Sequence, residues 1–182
     1  MTPSNIILGH LIELIGNVAD AHTVALFIME PNGKNLVMRE HFTLSQNLDR
    51  GAKIALGKGP IGLVAQTRKS QLIENFDQNT RFLGIYKKNE ELKNFIALPV
   101  IYGERVAVLA IDTKERYQFS IKLQKILTEF AQQIAWILQP ENSENSNKLS
   151  SGPFLQEINS YCRFLAESPD RSSVADRLTQ IP

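Results

Sequence analysis

The sequence is poor in cysteine, with one thiol, Cys162, among its 182 residues. A lone cysteine cannot form a disulfide within the chain, so we expect a reducing and therefore cytoplasmic setting. Long apolar runs are also missing, since stretches such as Val24–Met29 are far shorter than the roughly 20 residues of a membrane-spanning helix. The first residues lack the basic segment of a signal peptide, so the sequence predicts neither secretion nor membrane contact.

An excess of charge of one sign is lacking as well, because 20 Lys and Arg residues are balanced by 19 Asp and Glu residues. A near-neutral chain has no field that would hold polyanionic nucleic acid, so we expect no direct nucleic-acid partner. Hydrophobic residues make up 43% and charged residues 21%, as in ordinary globular domains. The length allows one well-buried domain and a modest extension.

Groups that carry out chemistry are scarce before residue 140. Nucleophilic catalysis needs an activated Ser or Cys beside a base, and residues 1–139 contain no cysteine. The three histidines do not pair at metal-ligand spacing; they are His10, His22 and His41. The string G-x-G-x-x-G over residues 57–62 spells a dinucleotide fingerprint, but without a parallel βαβ unit we interpret it as a tight turn into a helix. The sequence predicts no enzyme, no metal and no cofactor.

Hydrophobic periodicity predicts three helices and six strands before Pro140. The predicted helices are residues 4–20, about 60–69, and 120–138 with Ser120 as N-cap, and the strands are 23–29, 35–44, 54–56, 71–74, 94–102 and 105–112. Two hairpins and no strand–helix alternation favour an antiparallel sheet covered by helices, an α+β domain. The polar stretch 75–93 is long for a connection inside a compact domain, which is typical of a lid or binding loop.

The first hairpin allows two finer predictions. Asn32-Gly33 tolerates the positive φ angles of a type I′ turn. The return strand alternates, so we expect one apolar face, which Glu40 interrupts. The residues expected on that face are Leu36, Met38, Phe42 and Leu44.

Several phrases, taken in order, resemble the GAF family over about residues 4–139. Gly57–Ala65 is similar to the family's G-x-G-x-x-G-x-V-A turn, and Leu72–Asn75 with Asn79–Phe82 resembles its next strand and loop. Asn94–Val100 looks like the S-x-x-x-x-P strand, with Asn in place of Ser. Gly103–Asp112 looks like the closing hairpin, with Ala where the family usually has Gly at residue 107.

The resemblance implies a PAS/profilin-like antiparallel sheet of five to six strands, with the N- and C-terminal helices packed together. It also implies a ligand pocket closed by the loop, and a homodimer formed through helices 4–20 and 120–138. Relatives that reduce free methionine sulfoxide use pocket cysteines, which residues 1–139 lack. The cyclic-nucleotide subset has a signature that is incomplete here, because Ser120–Gln124 contains neither Asp nor Glu.

The expected function is therefore a regulatory sensor of a bacterial-type signalling protein, of the kind found in two-component systems and transcription regulation. An unidentified small molecule would bind under the loop, and the terminal helices would transmit the change. Pockets are mostly apolar with a few placed polar groups. The candidate pocket residues are Phe76, Asp77, Asn79, Arg81, Phe82, Tyr86, Asn94, Ile96 and Asp112.

Two alternatives stay open. The broad apolar stripes of the terminal helices suit a ligand-free dimerisation or interaction module equally well. The polar stretch 140–152 is predicted to be a linker, followed by a helical extension over 153–182. Phrases in that extension resemble the leading helices of another GAF unit, which suggests the start of a further signalling unit.

Overall fold

The computed structural model describes residues 3–76, 80–116 and 119–139. The chain divides into two units after Ser143, and every described residue belongs to the first. The helices are α1 (Pro3–Val18), α2 (Gly59–Thr67) and α3 (Ile121–Leu138), with a 3₁₀ helix at Thr80–Leu83. The strands are β1 (Thr23–Met29), β2 (Asn35–Thr43), β3 (Lys53–Ala55), β4 (Gln71–Glu74), β5 (Asn94–Tyr102) and β6 (Arg105–Thr113).

The six strands form one antiparallel sheet in the order β3-β2-β1-β6-β5-β4. Helices α1 and α3 pack against each other and against β1, β2 and β5, while α2 packs against β3, β5 and β6. This confirms the predicted α+β architecture and the pairing of the terminal helices. Among the described residues, no helix combines the length and apolarity that a membrane span requires.

The starts of α2 and α3 follow from local sequence. The Ser120 side chain accepts a hydrogen bond from Leu123 N at 3.2 Å, as expected of an N-cap. Before α2, Gly57 has a φ of +76°, which favours glycine. A Cβ on Gly62 would lie 2.3 Å from the Ala55 carbonyl oxygen, so only glycine fits there. The glycine string is thus a close-packed turn into a helix.

The predicted single apolar face of β2 is wrong, because the strand contains a bulge. Leu26 of β1 pairs with Glu40 and Phe27 with Met38, so Arg39 is an extra residue without a partner on β1. One inserted residue exchanges the two faces of a strand. Leu36 and Met38 pack on the α2 side, whereas the Phe42 ring lies against Gly16 of α1. Leu44, beyond the strand, is exposed.

The hairpin between β1 and β2 is confirmed, but its turn is not of type I′. That type needs two consecutive positive φ angles. Gly33 has a φ of +68°, whereas Asn32 is not among the positive-φ residues. Gly33 N donates to Glu30 O at 2.9 Å, and Glu30 N donates to Asn35 O at 2.8 Å, which closes a four-residue connection.

Candidate functional site

The described parts of the loop, residues 75–76 and 80–93, cover the α2 side of the sheet with apolar side chains. Its buried members are Phe76, Leu83, Ile85, Tyr86 and Leu92. They pack in one cluster with α2 residues and with the sheet residues that alternate toward this face, among them Ala25, Phe27, Phe95, Ala97, Val108 and Ala110. The layer that the sequence predicts as a pocket is therefore filled by side chains of the loop itself.

One polar group stands at the end of this apolar layer. Tyr86 Oη lies 2.6 Å from Thr23 Oγ1 and 2.7 Å from Asp112 Oδ2. Thr23 Oγ1 is in turn 2.8 Å from Thr43 Oγ1. The phenol has only one proton, so it can donate only one hydrogen bond. When it contacts Thr23 and Asp112 at the same time, one of these two partners must donate to the phenol oxygen. The hydroxyl group of the loop is thereby tied to β1 and β6.

Asp112 is the most deeply enclosed acid described, with 1% of its surface exposed. Its Oδ1 finds no hydrogen-bond partner at good geometry among the described residues. Burial raises the pKa of Asp112 to about 8, although hydrogen bonding from Tyr86 and the backbone of Thr23 favours the charged form. The carboxyl is therefore mainly protonated at neutral pH, and can itself donate.

A second polar cluster lies where the loop returns to β5, around the Glu90 carboxylate. Ser45 Oγ donates to Glu90 Oε1 at 2.5 Å and Asn47 Nδ2 at 2.7 Å. Lys114 Nζ lies 3.1 Å from Oε2, and His22 Nε2 lies 3.5 Å from it. Burial opposes the charge, but Ser45, Asn47 and Lys114 outweigh it and hold the pKa of Glu90 at about 2.

His22 is the partner of Glu90 that changes charge most readily. Burial lowers the pKa of His22, and so does the nearby charge of Lys114, while Glu90 acts in the opposite direction. Its enclosed Nε2 has no hydrogen-bond partner among the described residues, because the Glu90 contact is too long for a good hydrogen bond. Among the described residues, no group of three or more His, Cys, Asp or Glu side chains is placed to hold a metal.

The structure brings three of the predicted pocket residues together, namely Phe76, Tyr86 and Asp112. Arg81 and Phe82 belong to the loop but lie at its outer surface, and Phe82 is 53% exposed. Asp77 and Asn79 lie outside the described residues.

Asn94 and Ile96 are buried but belong to the other face of the sheet. Phe95 and Ala97 point into the layer under the loop, so alternation turns their neighbours toward the terminal helices. Asn94 Nδ2 accordingly donates to Glu115 O at 2.6 Å, which fixes the segment leading to α3. Nothing in the sequence gives the phase of this alternation, because β5 is buried on both faces along most of its length.

Four polar residues that the sequence reasoning passed over belong to the site, namely Thr23, Thr43, His22 and Glu90. The available signal was weak. Thr23 opens an otherwise apolar strand, but it faces Thr43 only because of the bulge at Arg39; a regular hairpin would have paired Thr23 with Phe42. Glu90 stands in the run Lys87–Glu91, which reads as a solvated charged stretch.

The fold and sequence agree with one family. The family model described as GAF domain matches residues 4–139, whereas no curated protein matches the sequence. The structure is similar to the GAF domain of an Acinetobacter phosphoenolpyruvate-protein phosphotransferase, with a TM-score of 0.62 and 17% identity over 84% of this chain and 87% of that one.

Two further solved structures show the range of proteins that share this fold. The type II free methionine-R-sulfoxide reductase of Thermoplasma acidophilum has a TM-score of 0.60 and 16% identity, over 74% of this chain and 91% of that one. The second GAF domain of DevS from Mycobacterium smegmatis has a TM-score of 0.56 and 14% identity, over 72% and 90%. At such identities the likeness establishes the fold, and together with the family match over 4–139 it means that this chain belongs to the GAF domain family.

Proposed function

We propose that this GAF domain is a regulatory sensor that binds a small molecule between the 75–93 loop and the sheet. The observation that supports this most is the Tyr86–Asp112 contact, a polar group at the end of an apolar layer that the loop covers together with α2. Ligand sites combine these two properties. Because Tyr86 occupies the layer, a ligand must displace its ring, and the loop must move to admit it. Asp77 and Asn79 remain predicted members of the site.

The terminal helices are the proposed route of output. Helix α1 leads directly into β1, which carries Thr23, and β6 carries Asp112 and leads to α3. The same helices pack against each other on the far face of the sheet. A ligand alters their arrangement only if its affinity differs between two arrangements. We expect residues 140–152 to act as the linker to the helical extension 153–182.

We propose a homodimer as the working state. Helix α3 exposes Ile121, Ile126 and Trp136, apolar surface that a second copy of the chain would cover. Trp136 borders a shallow groove of about 400 Å³ between α3 and β5, where Pro99 and Ile101 form the other wall. The same surface supports the second candidate function, a dimerisation module without a ligand.

We propose no catalytic role. The relatives include free methionine-R-sulfoxide reductases, and the resemblance attributes that chemistry to pocket cysteines. The chain has one cysteine, and it lies at residue 162, outside the matched region. The described polar groups under the loop are hydroxyls and a carboxyl whose pKa is raised. Such groups can form hydrogen bonds with a ligand, but they are poor nucleophiles.

Native mass spectrometry of protein purified from its own cell type tests both candidate functions. The sensor predicts a retained small molecule that is lost after Asp112→Asn, but kept after Glu115→Gln, an exposed carboxylate nearby. Dimers that carry no ligand, and whose mass does not change when cell extract is added, would favour the second candidate and contradict the first. Trp136→Glu should yield monomers, whereas Thr67→Glu, exposed on α2, should leave the oligomeric state unchanged.

A further inference from the structure

Glu90 is the residue through which the loop reaches the bases of both terminal helices. Its carboxylate contacts His22, which lies between α1 and β1, and Lys114, which lies between β6 and α3. The same carboxylate accepts from Ser45 and Asn47 in the connection between β2 and β3. One side chain of the loop thus meets three other parts of the chain.

The segment that carries His22 is fixed rigidly to the end of α1. Ala19 N donates to Ile15 O and Ala21 N to Gly16 O, both at 2.9 Å. On the other side, His22 N donates to Asp112 O at 2.8 Å. A displacement of His22 therefore reaches the last turn of α1 without passing through a flexible link.

The His22 ring depends on Glu90. Its Nε2 atom is enclosed, has no hydrogen-bond partner among the described residues, and meets the Glu90 carboxylate at 3.5 Å. A buried nitrogen that loses its polar neighbour must gain water or turn. Lys114, which is exposed, would lose an ion pair on the other flank.

We propose that Glu90 is the coupling residue of this domain, so that lifting the loop releases His22 and Lys114 together and loosens the bases of α1 and α3. The inference rests on the proposed sensor function, because it gives the route by which a ligand that moves Tyr86 acts on the helices. Tyr86 and Glu90 belong to one continuous stretch of loop, in which Tyr86 also forms a bridge to Leu48 and Lys87 N donates to Asn47 O.

Hydrogen exchange of backbone amides, measured without a ligand, tests the coupling. Glu90→Gln keeps an acceptor for Ser45 but removes the charge that His22 and Lys114 face. We expect amides at the α1 end, such as Ala19 and Ala21, and in the first turn of α3, such as Gln124, to exchange roughly tenfold faster, within the usual range of coupling between sites. The control Glu91→Gln changes the exposed neighbouring carboxylate and should leave these amides unchanged.

Coupling is reciprocal, which supplies a second test. His22→Asn alters only the helix side, and it should speed the exchange of loop amides such as Lys87 by a similar factor. Faster exchange confined to residues 80–93 and 45–47 in Glu90→Gln would show that Glu90 only pins the loop, and would overturn the proposal. If Glu90→Gln does not fold, unchanged exchange of the loop amides in His22→Asn overturns the proposal equally. A ligand found under the loop, together with unchanged amide exchange in α1 and α3 of Glu90→Gln, would contradict this inference while leaving the sensor function intact.

Discussion

Replacing Asp112 by asparagine perturbs the carboxyl that is most deeply buried among the described residues and that faces the loop. In the folded protein its pKa is about 8, whereas an ordinary aspartate titrates at 3.8. Between these values the folded state binds a proton that the unfolded state has lost. The contribution of Asp112 to the free energy of unfolding of the wild type therefore falls as the pH rises from about 4 to about 8. The side-chain amide introduced by Asp112→Asn cannot ionise, so the variant lacks this contribution.

The magnitude follows from proton linkage. One proton bound only by the folded state changes the free energy of unfolding by at most about 1.4 kcal/mol per pH unit. The difference between Asp112→Asn and the wild type should thus shift in favour of the variant by about 1–1.4 kcal/mol per unit between pH 5 and 7. The group is 1% exposed, so solvent does not screen the effect.

Urea denaturation at half-unit steps from pH 5 to 8 measures this difference, with midpoints and slopes compared at each pH. The matched control is Glu115→Gln, which removes an exposed carboxylate and should give a difference that does not vary over this range. A pH-independent difference for Asp112→Asn would refute the reasoning, because it would mean that the carboxyl is ionised in the folded state and that its Oδ1 is satisfied.

Three shorter predictions test the surroundings of the site and the fold. Tyr86→Phe removes the hydroxyl group that contacts Thr23 and Asp112. Because these buried polar atoms lose a partner, the free energy of unfolding measured by urea denaturation should fall by about 1–3 kcal/mol. An unchanged free energy would mean that water replaces the hydroxyl group freely. Gly62→Ala places a Cβ 2.3 Å from the Ala55 carbonyl oxygen, and should cost at least about 2 kcal/mol by the same measurement, while Gly9→Ala, with open space around it, should not destabilise. Ser120→Ala removes the cap of α3 and should lower stability by about 0.5–2 kcal/mol, with Ser120→Asp as the variant that retains it.

The parts of the fold that sequence reasoning predicted are those with strong local signals. Strand β1 was predicted at Thr23–Met29 and β5 at Asn94–Tyr102, the bounds that the structure has. Both are apolar runs rich in strand formers and bounded by turns. The Ser120 cap likewise depends on residues within one turn. Pairing order and register are non-local, yet the two hairpins limited them enough to predict an antiparallel sheet.

The features that sequence reasoning missed depend on pairing between distant residues. The bulge at Arg39 exchanges the two faces of β2 beyond it. The only sign of it in the sequence is Glu40, which interrupts the apolar alternation and could equally have been an exposed residue of a regular strand. Which residues of β5 face the loop could not be predicted either, since a strand buried on both sides has no polar residues to distinguish its two faces. Glu90 is recognisable only when His22, Ser45 and Lys114 are already in place around it.

If the proposed sensor function holds, the filled layer limits which ligands can open the loop. A buried Tyr ring removes roughly 150–250 Å² from water, worth about 4–6 kcal/mol at ~25 cal/mol per Å². A ligand no larger than a phenol replaces that burial without adding to it, so displacement of Tyr86 gives little net binding. A larger apolar body, or a group that satisfies Asp112 Oδ1, supplies the surplus. In the proposed site, the unsatisfied oxygen and the displaced ring would together select ligands by size and by a single hydrogen bond.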